Sequence, residues 1–185
     1  MQSLLQKASA SLSQLAIVDV QAKLAPAMPE QEMQAVIKNC GILLQAANLL
    51  NVAHIVTEQY PKGLGHTVPE LASFIQQPPI EKIVFSCAGE PKFNRYLTRD
   101  HSQVVVAGME AHICILQTAL DLLSMGKQVF VVEDAIISRN AANKANAIAR
   151  MRSAGCIITN TESLVFEWLA VASGDAFKAI SKLIR

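Results

Sequence analysis

Charge of one sign is missing from this 185-residue chain: 16 Lys and Arg stand against 15 Asp and Glu, a formal net charge of +1. A nucleic-acid surface would announce itself as a basic excess or stripe, and neither is present. Aromatic residues make up only 5% of the chain, too few for a base-stacking platform. Long apolar runs are absent as well. The richest stretch, Leu43 to Val56, is broken by Gln45, Asn48, Asn51 and His54, short of the roughly 18 apolar residues of a membrane span. The N-terminal MQSLLQKASASLSQLAIV carries Lys7 in mid-segment and is interrupted by Ser and Gln. It reads as a short helical or loose lead-in to a first strand, not as an export signal. The expectation is a cytoplasmic protein with neither nucleic acid nor membrane as partner.

Metal and cofactor signatures are missing too. Cys40, Cys87, Cys114 and Cys156 contain no C-x-x-C pair, and the four histidines form no H-x-x-x-H or H-E-x-x-H. A reduced chain without a protein-built metal site follows. The pair Gly63 and Gly65 lacks the third glycine of a dinucleotide fingerprint, and no phosphate-binding loop with Gly-Lys-Ser or Gly-Lys-Thr occurs. No cofactor is expected.

What the chain does have is alternation. Short β-branched apolar runs recur at LAIVDV (15–20), AHIVTE near 53, KIVFS near 82, VVVAGM near 104, QVFVVEDA near 128 and CIITN near 156. Several are continuously apolar, as in parallel strands buried on both faces. Between them lie helical patterns. Met33, Val36, Ile37, Cys40, Leu43, Leu44, Ala47 and Leu50 recur at spacings of three and four after Pro29 and Glu30. Further helices are expected over about Ile113–Met125, Asn140–Ser153, Glu162–Ala172 and Asp175–Leu183. The pattern predicts one α/β domain over 1–185: a three-layer αβα sandwich around a mostly parallel, Rossmann-like sheet of about six strands. Gln59–Leu71, with two prolines and two glycines, reads as a long loop.

In open α/β sheets, ligands sit outside the carboxyl ends of the strands. The polar residues there are Asp19, Glu58, Lys82 with Ser86, the Gly108–Cys114 turn, and Glu133 with Asp134. A carboxylate after four apolar residues, as Asp19 is, needs a partner or a use; the bland alternative is a salt bridge. Cys114 opens a helix, where N–H groups and the dipole lower a thiol's pKa and can hold an oxyanion; the bland alternative is core filler. Lys82 by itself reads as a solvated surface lysine. His112 lies two residues from Cys114, a spacing at which helical side chains do not face each other.

Taken together, LAIVDVQ, the Lys of EKIVFS and VVVAGMEAHICILQTALDLLSMGKQVFVVEDAIISR resemble the isochorismatase-like cysteine hydrolases in order and spacing. The TEQYPKGLGHTVPEL loop and the ARMRSAG segment are most similar to its isochorismatase-domain-containing subgroup. The resemblance implies a catalytic triad of Asp19, Lys82 and Cys114. It also implies a non-proline cis peptide at Met109–Glu110 and an oxyanion hole from the N–H groups of Glu110 and Cys114. Nicotinamidase-type members carry an Asp-x-His and a further His for a metal; here the second strand ends in TEQY, so none is expected. Isochorismatases proper lack the nucleophilic cysteine that this chain has. The implied activity is covalent hydrolysis of a C–N, amide-type bond in a small molecule. Gln21, Tyr60 and Phe85 are candidate pocket walls, and the 51% hydrophobic share points to a homo-oligomer. The competing readings are a degenerate member acting as an oligomeric scaffold, and a redox sensor in which Cys87 resolves an oxidised Cys114.

Overall fold

A computed structural model describes residues 7–184. In chain order the regular elements are β1 (Ser13–Val18), α1 (Glu30–Leu50), β2 (Ala53–Gln59), α2 (Pro61–Leu64), α3 (Pro69–Ala72), β3 (Ile80–Lys82), α4 (Pro91–Tyr96), β4 (Gln103–Met109), α5 (Leu116–Ser124), β5 (Gln128–Ile137), α6 (Ala141–Ala154), β6 (Ile157–Thr159), α7 (Thr161–Leu169) and α8 (Gly174–Leu183). The strands form one sheet in the order β3-β2-β1-β4-β5-β6, every pair parallel.

Because successive side chains in a strand point to opposite faces, the apolar runs feed two cores. Leu15, Ile17, Val105, Ala107, Phe130 and Val132 pack with the apolar faces of α1 and α7 and with Ile180 of α8. Ala16, Val18, Val104, Val106, Val129 and Val131 pack on the other face with residues of α5 and α6. The result is the expected three-layer sandwich, here all parallel. Helix ends follow local chemistry: Asn140 accepts the Ala142 N–H to open α6, and Gly155, at φ 107°, closes it in the left-handed region. Among the described residues no helix is long and apolar enough to cross a membrane.

Three elements differ from the sequence expectation. The KIVFS strand stops at Lys82, and Ile83, Val84 and Phe85 leave the sheet with relative exposures of 82%, 44% and 54%. The cause is Lys82 itself, whose ammonium takes the Val84 and Phe85 carbonyls at 3.3 and 3.0 Å and turns the chain off the ladder. The helix expected from Ile113 starts with a wide π-type turn over Ala111–Ile115, and α5 proper begins at Leu116. The Gln59–Leu71 loop holds two one-turn helices, α2 and α3, and is pinned to the end of β1 by a Gln21–Thr67 bridge. Of the N-terminal lead-in, residues 1–6 lie outside the described residues; 9–12 form a turn, with Leu12 N–H on Ser9 O at 3.1 Å.

Candidate active site

The strand order reverses at β1, which lies between β2 and β4. A crevice opens at such a switch point, and three chain segments end there. Val18, the last residue of β1, pairs with Gly108 of β4. The approach is so close that a Cβ on Gly108 would sit 2.1 Å from the Val18 carbonyl oxygen, and Gly108 has φ +119°. Only glycine fits that backbone. Asp19 follows at φ 54°, fully buried. Such a conformation is sparsely populated for a non-glycine residue and persists only where surroundings enforce it. They do: its N–H bonds Thr57 O at 3.1 Å, and its carboxylate accepts the Thr57 hydroxyl at 2.8 Å and the Lys82 ammonium at 2.7 Å.

Lys82 comes from the end of β3, two strands from β1, and is 2% exposed. Its Nζ lies 2.7 Å from Asp19 Oδ2, 2.7 Å from Gln59 Oε1, 3.0 Å from Phe85 O, 3.3 Å from Val84 O and 3.7 Å from Cys114 Sγ. Burial by itself would lower this lysine's pKa. The Asp19 carboxylate and the Cys87 and Cys114 sulfurs outweigh it, so Lys82 holds its proton above the usual range. Cys114 is 6% exposed. Its position at a helix opening leads one to expect a lowered thiol pKa; instead burial, then the negative charge of Asp19, push it up, with Lys82 opposing. That balance favours the protonated thiol at rest. Cys87, fully buried with Sγ 3.7 Å from the Thr57 hydroxyl, is pushed up to about 11 by burial and by Asp19.

The turn before Cys114 is tied to the end of β5. The Met109–Glu110 peptide is cis. The Glu110 carboxylate accepts the Arg139 N–H at 3.0 Å and its Nε–H at 3.1 Å, and Glu110 O accepts the N–H groups of Ile113 and Ile115. His112 faces Ser138, with Nδ1 2.9 Å from its Oγ. Where TEQY ends β2, the polar side chains are engaged within the protein. The Glu58 carboxylate is taken by the Thr67 N–H and hydroxyl at 2.7 Å and by His66 at 3.0 Å, and the Gln59 amide by Lys82 and Ile83 O. Among the described residues no cluster of three or more His, Cys, Asp or Glu is placed to hold an ion.

Residues 13–163 match the model of the isochorismatase domain. The chain belongs to the isochorismatase family. It is 39% identical over 161 residues to the secreted isochorismatase effector Isc1 of Phytophthora sojae, covering 83% of this chain and 76% of that protein. It is 38% identical over 173 residues to isochorismatase domain-containing protein 2 of Danio rerio, covering 93% and 86%. Among solved structures, MAR1 ribonuclease of Caenorhabditis elegans superposes with a TM-score of 0.90 at 36% identity, over 96% of this chain and 92% of that one.

Of the site residues expected for this isochorismatase-family chain, Asp19, Lys82 and Cys114 come together. Tyr60, 55% exposed, lines an open cleft of about 410 Å³ with Pro61, Lys82, Ile83 and Val84. Phe85 reaches the site through its carbonyl, while its ring is half-exposed. Gln21 is fully buried, and its amide binds the Gln59 N–H, Gln59 O and Gly65 O at 2.7, 3.0 and 2.6 Å. Thr57 and Gln59 were not singled out by sequence reasoning. The signal was their place in the same strand end as Glu58, with side chains alternating toward the opposite face from it.

Proposed function

We propose that this protein is a cysteine-dependent hydrolase that cleaves a C–N, amide-type bond in a small molecule through a thioester. The observation that carries the reading is Lys82 Nζ standing 2.7 Å from the Asp19 carboxylate and 3.7 Å from Cys114 Sγ, all three side chains buried. A neutral thiol beside a carboxylate suits proton transfer at the moment of attack. Asp19 takes the Sγ proton while sulfur bonds to the carbonyl carbon, and Lys82 balances the charge passing between them. The N–H groups of Glu110 and Cys114 are assigned to the oxyanion. Asp19 returns the proton to the departing nitrogen as the C–N bond breaks. Water then adds to the thioester, giving one proton to Asp19, and the released sulfur takes that proton back.

The raised Cys87 thiol weighs against a redox sensor, in which Cys87 would have to attack an oxidised Cys114 as a thiolate. The decisive experiment is a panel of small amides and carbamoyl compounds read by ammonia release, with a single-stranded RNA as a further arm because the C. elegans relative is named a ribonuclease. Cys114→Ala should abolish turnover of the amide that responds, a loss of up to about 10⁶-fold, at a nearly unchanged melting temperature. Amide turnover at the wild-type rate in that variant, or cleavage of the RNA alone, overturns the reading.

A further inference from the structure

Lys82 carries three ammonium protons and stands within reach of four oxygens and a sulfur. The nearest oxygens, at 2.7 Å each, belong to Asp19 and to Gln59. Gln59 ends β2, and it is held at every polar atom. Its N–H and its carbonyl are both gripped by the buried Gln21 amide, at 2.7 and 3.0 Å. Its Nε2 donates to Ile83 O at 2.6 Å, so Oε1 is the atom that turns to Lys82. The next residue closes the same corner, with the Tyr60 N–H on Lys82 O at 2.9 Å. Gln21, two residues beyond Asp19, thus fixes Gln59, and Gln59 fixes the lysine that Asp19 needs.

The charge of that side chain matters as much as its reach. Among the described residues, Asp19 is the carboxylate paired with Lys82. With a neutral amide as the other close acceptor, the ammonium and Asp19 sum to zero charge. When Asp19 takes the Cys114 proton, the ammonium is left facing one anion, the sulfur. A second carboxylate at position 59 would hold the ammonium permanently and leave the thiolate without its counter-charge. Both 2.7 Å contacts also compete with the Cys114 sulfur, at 3.7 Å, for the ammonium's three protons.

We infer that Gln59 is a positioning residue that holds Lys82 between Asp19 and Cys114 and, by being neutral, reserves its charge for the thiolate. The inference rests on the hydrolase reading for what the thiolate then does, but its test needs no substrate. The groups facing Cys114 are Asp19, Lys82 and Cys87, and the probe is iodoacetamide alkylation of Cys114 followed against pH by peptide mass spectrometry. Gln59→Glu adds a negative charge on the ammonium, and the alkylation profile moves to higher pH by about one unit or more. Gln59→Met removes the competing acceptor while keeping length, and the profile moves to lower pH. A residue that merely props the strand end behaves differently: both changes loosen the site, and both speed alkylation. Profiles of the two variants that move together, or that overlay the wild type, overturn the inference. Where Gln59→Glu does not fold, Gln59→Met decides: a downward shift of the midpoint at an unchanged limiting rate and melting temperature is in favour, and an unmoved midpoint, or a raised limiting rate alone, which loosening gives, is against. Amide turnover measured alongside separates the two claims. An active wild-type enzyme with unmoved profiles sinks only the role of Gln59, and a fully active Cys114→Ala sinks only the hydrolase reading.

Discussion

Asp19 acts on Cys114 in two opposed ways. As a negative charge it raises the thiol pKa and so suppresses the free thiolate; in the proposed reaction it is also the base that takes the proton during attack. Asp19→Asn separates the two. The amide keeps the shape and the Lys82 contact but removes the charge, leaving the ammonium to favour thiolate. Alkylation of Cys114 by iodoacetamide at pH 7 should rise about tenfold or more, since each pKa unit is a factor of ten in thiolate below the pKa. Amide turnover should fall by about 10²–10⁴-fold for want of the base. Parallel loss of both would show that Asp19 only maintains the fold. Gly108→Ala tests the backbone beneath. Its Cβ would meet Val18 O at 2.1 Å, and we expect at least about 3 kcal/mol of destabilisation in denaturant titration. Asp19 and Cys114 were legible in the sequence because each follows an apolar strand run, whereas Lys82, which opens the expected KIVFS run, needed the family resemblance. The partners that aim Lys82 were not, because Gln21 and Gln59 lie 38 residues apart and meet only through strand pairing.

Elements were legible where burial dictated them and illegible where a side chain redirected the backbone. QVFVV reads as a strand because both its faces are covered, as they are. Its continuation does not behave as one. The β4–β5 register jumps from Val106 with Val131 to Gly108 with Ile136, and Glu133 and Asp134 are extruded. Their position after an apolar run made those two carboxylates site candidates. Asp134 instead anchors a helix. Its Oδ1 accepts both the N–H and the hydroxyl of Thr161 at 2.8 Å at the start of α7, and its carbonyl accepts Asn39 Nδ2 at 2.7 Å. That anchor fixes the exit of β5, and with it Ser138 and Arg139 against the turn before Cys114. Thr161 is 2% exposed, so Asp134→Ala leaves its donors unpaired and should cost about 1–3 kcal/mol. Asp134→Asn keeps an accepting oxygen and should recover most of it in the same thermal or urea titration. Equal losses in the two variants would assign the effect to charge, not to the cap. The KIVFS segment failed as a strand for the same kind of reason, since hydropathy cannot see carbonyls drawn off a ladder by a lysine.

At the scale of the whole molecule, the shifted pKa values of two buried groups, Glu58 and His54, give stability a dependence on acid. Both sit in β2, so they report on the same half of the sheet. His54 is 9% exposed; its Nε2 accepts the Gln76 N–H at 3.2 Å, and its Nδ1 is buried with no partner among the described residues. Burial lowers its pKa below the ordinary 6.5. The unfolded chain therefore takes up a proton near pH 6.5 that the native state refuses, and stability falls as pH drops from there toward the native pKa. Glu58 is held below its ordinary 4.5: burial pushes it up, but the Thr67 N–H and hydroxyl and His66 together outweigh that. Its contribution is present above pH 4.5 and is lost as pH falls further, again because the unfolded chain protonates first. Acid destabilisation should thus come in two steps, each no steeper than about 1.4 kcal/mol per pH unit. Urea titrations at half-unit intervals from about pH 7.5 to about 3.5 resolve them. His54→Gln should flatten the profile below about pH 6.5 and leave the step that begins near pH 4.5 in place. Glu58→Gln should do the reverse, at the added cost of weakening the clasp on the loop at Thr67. A single step that survives both substitutions would place the acid sensitivity elsewhere in the sandwich, outside β2 altogether.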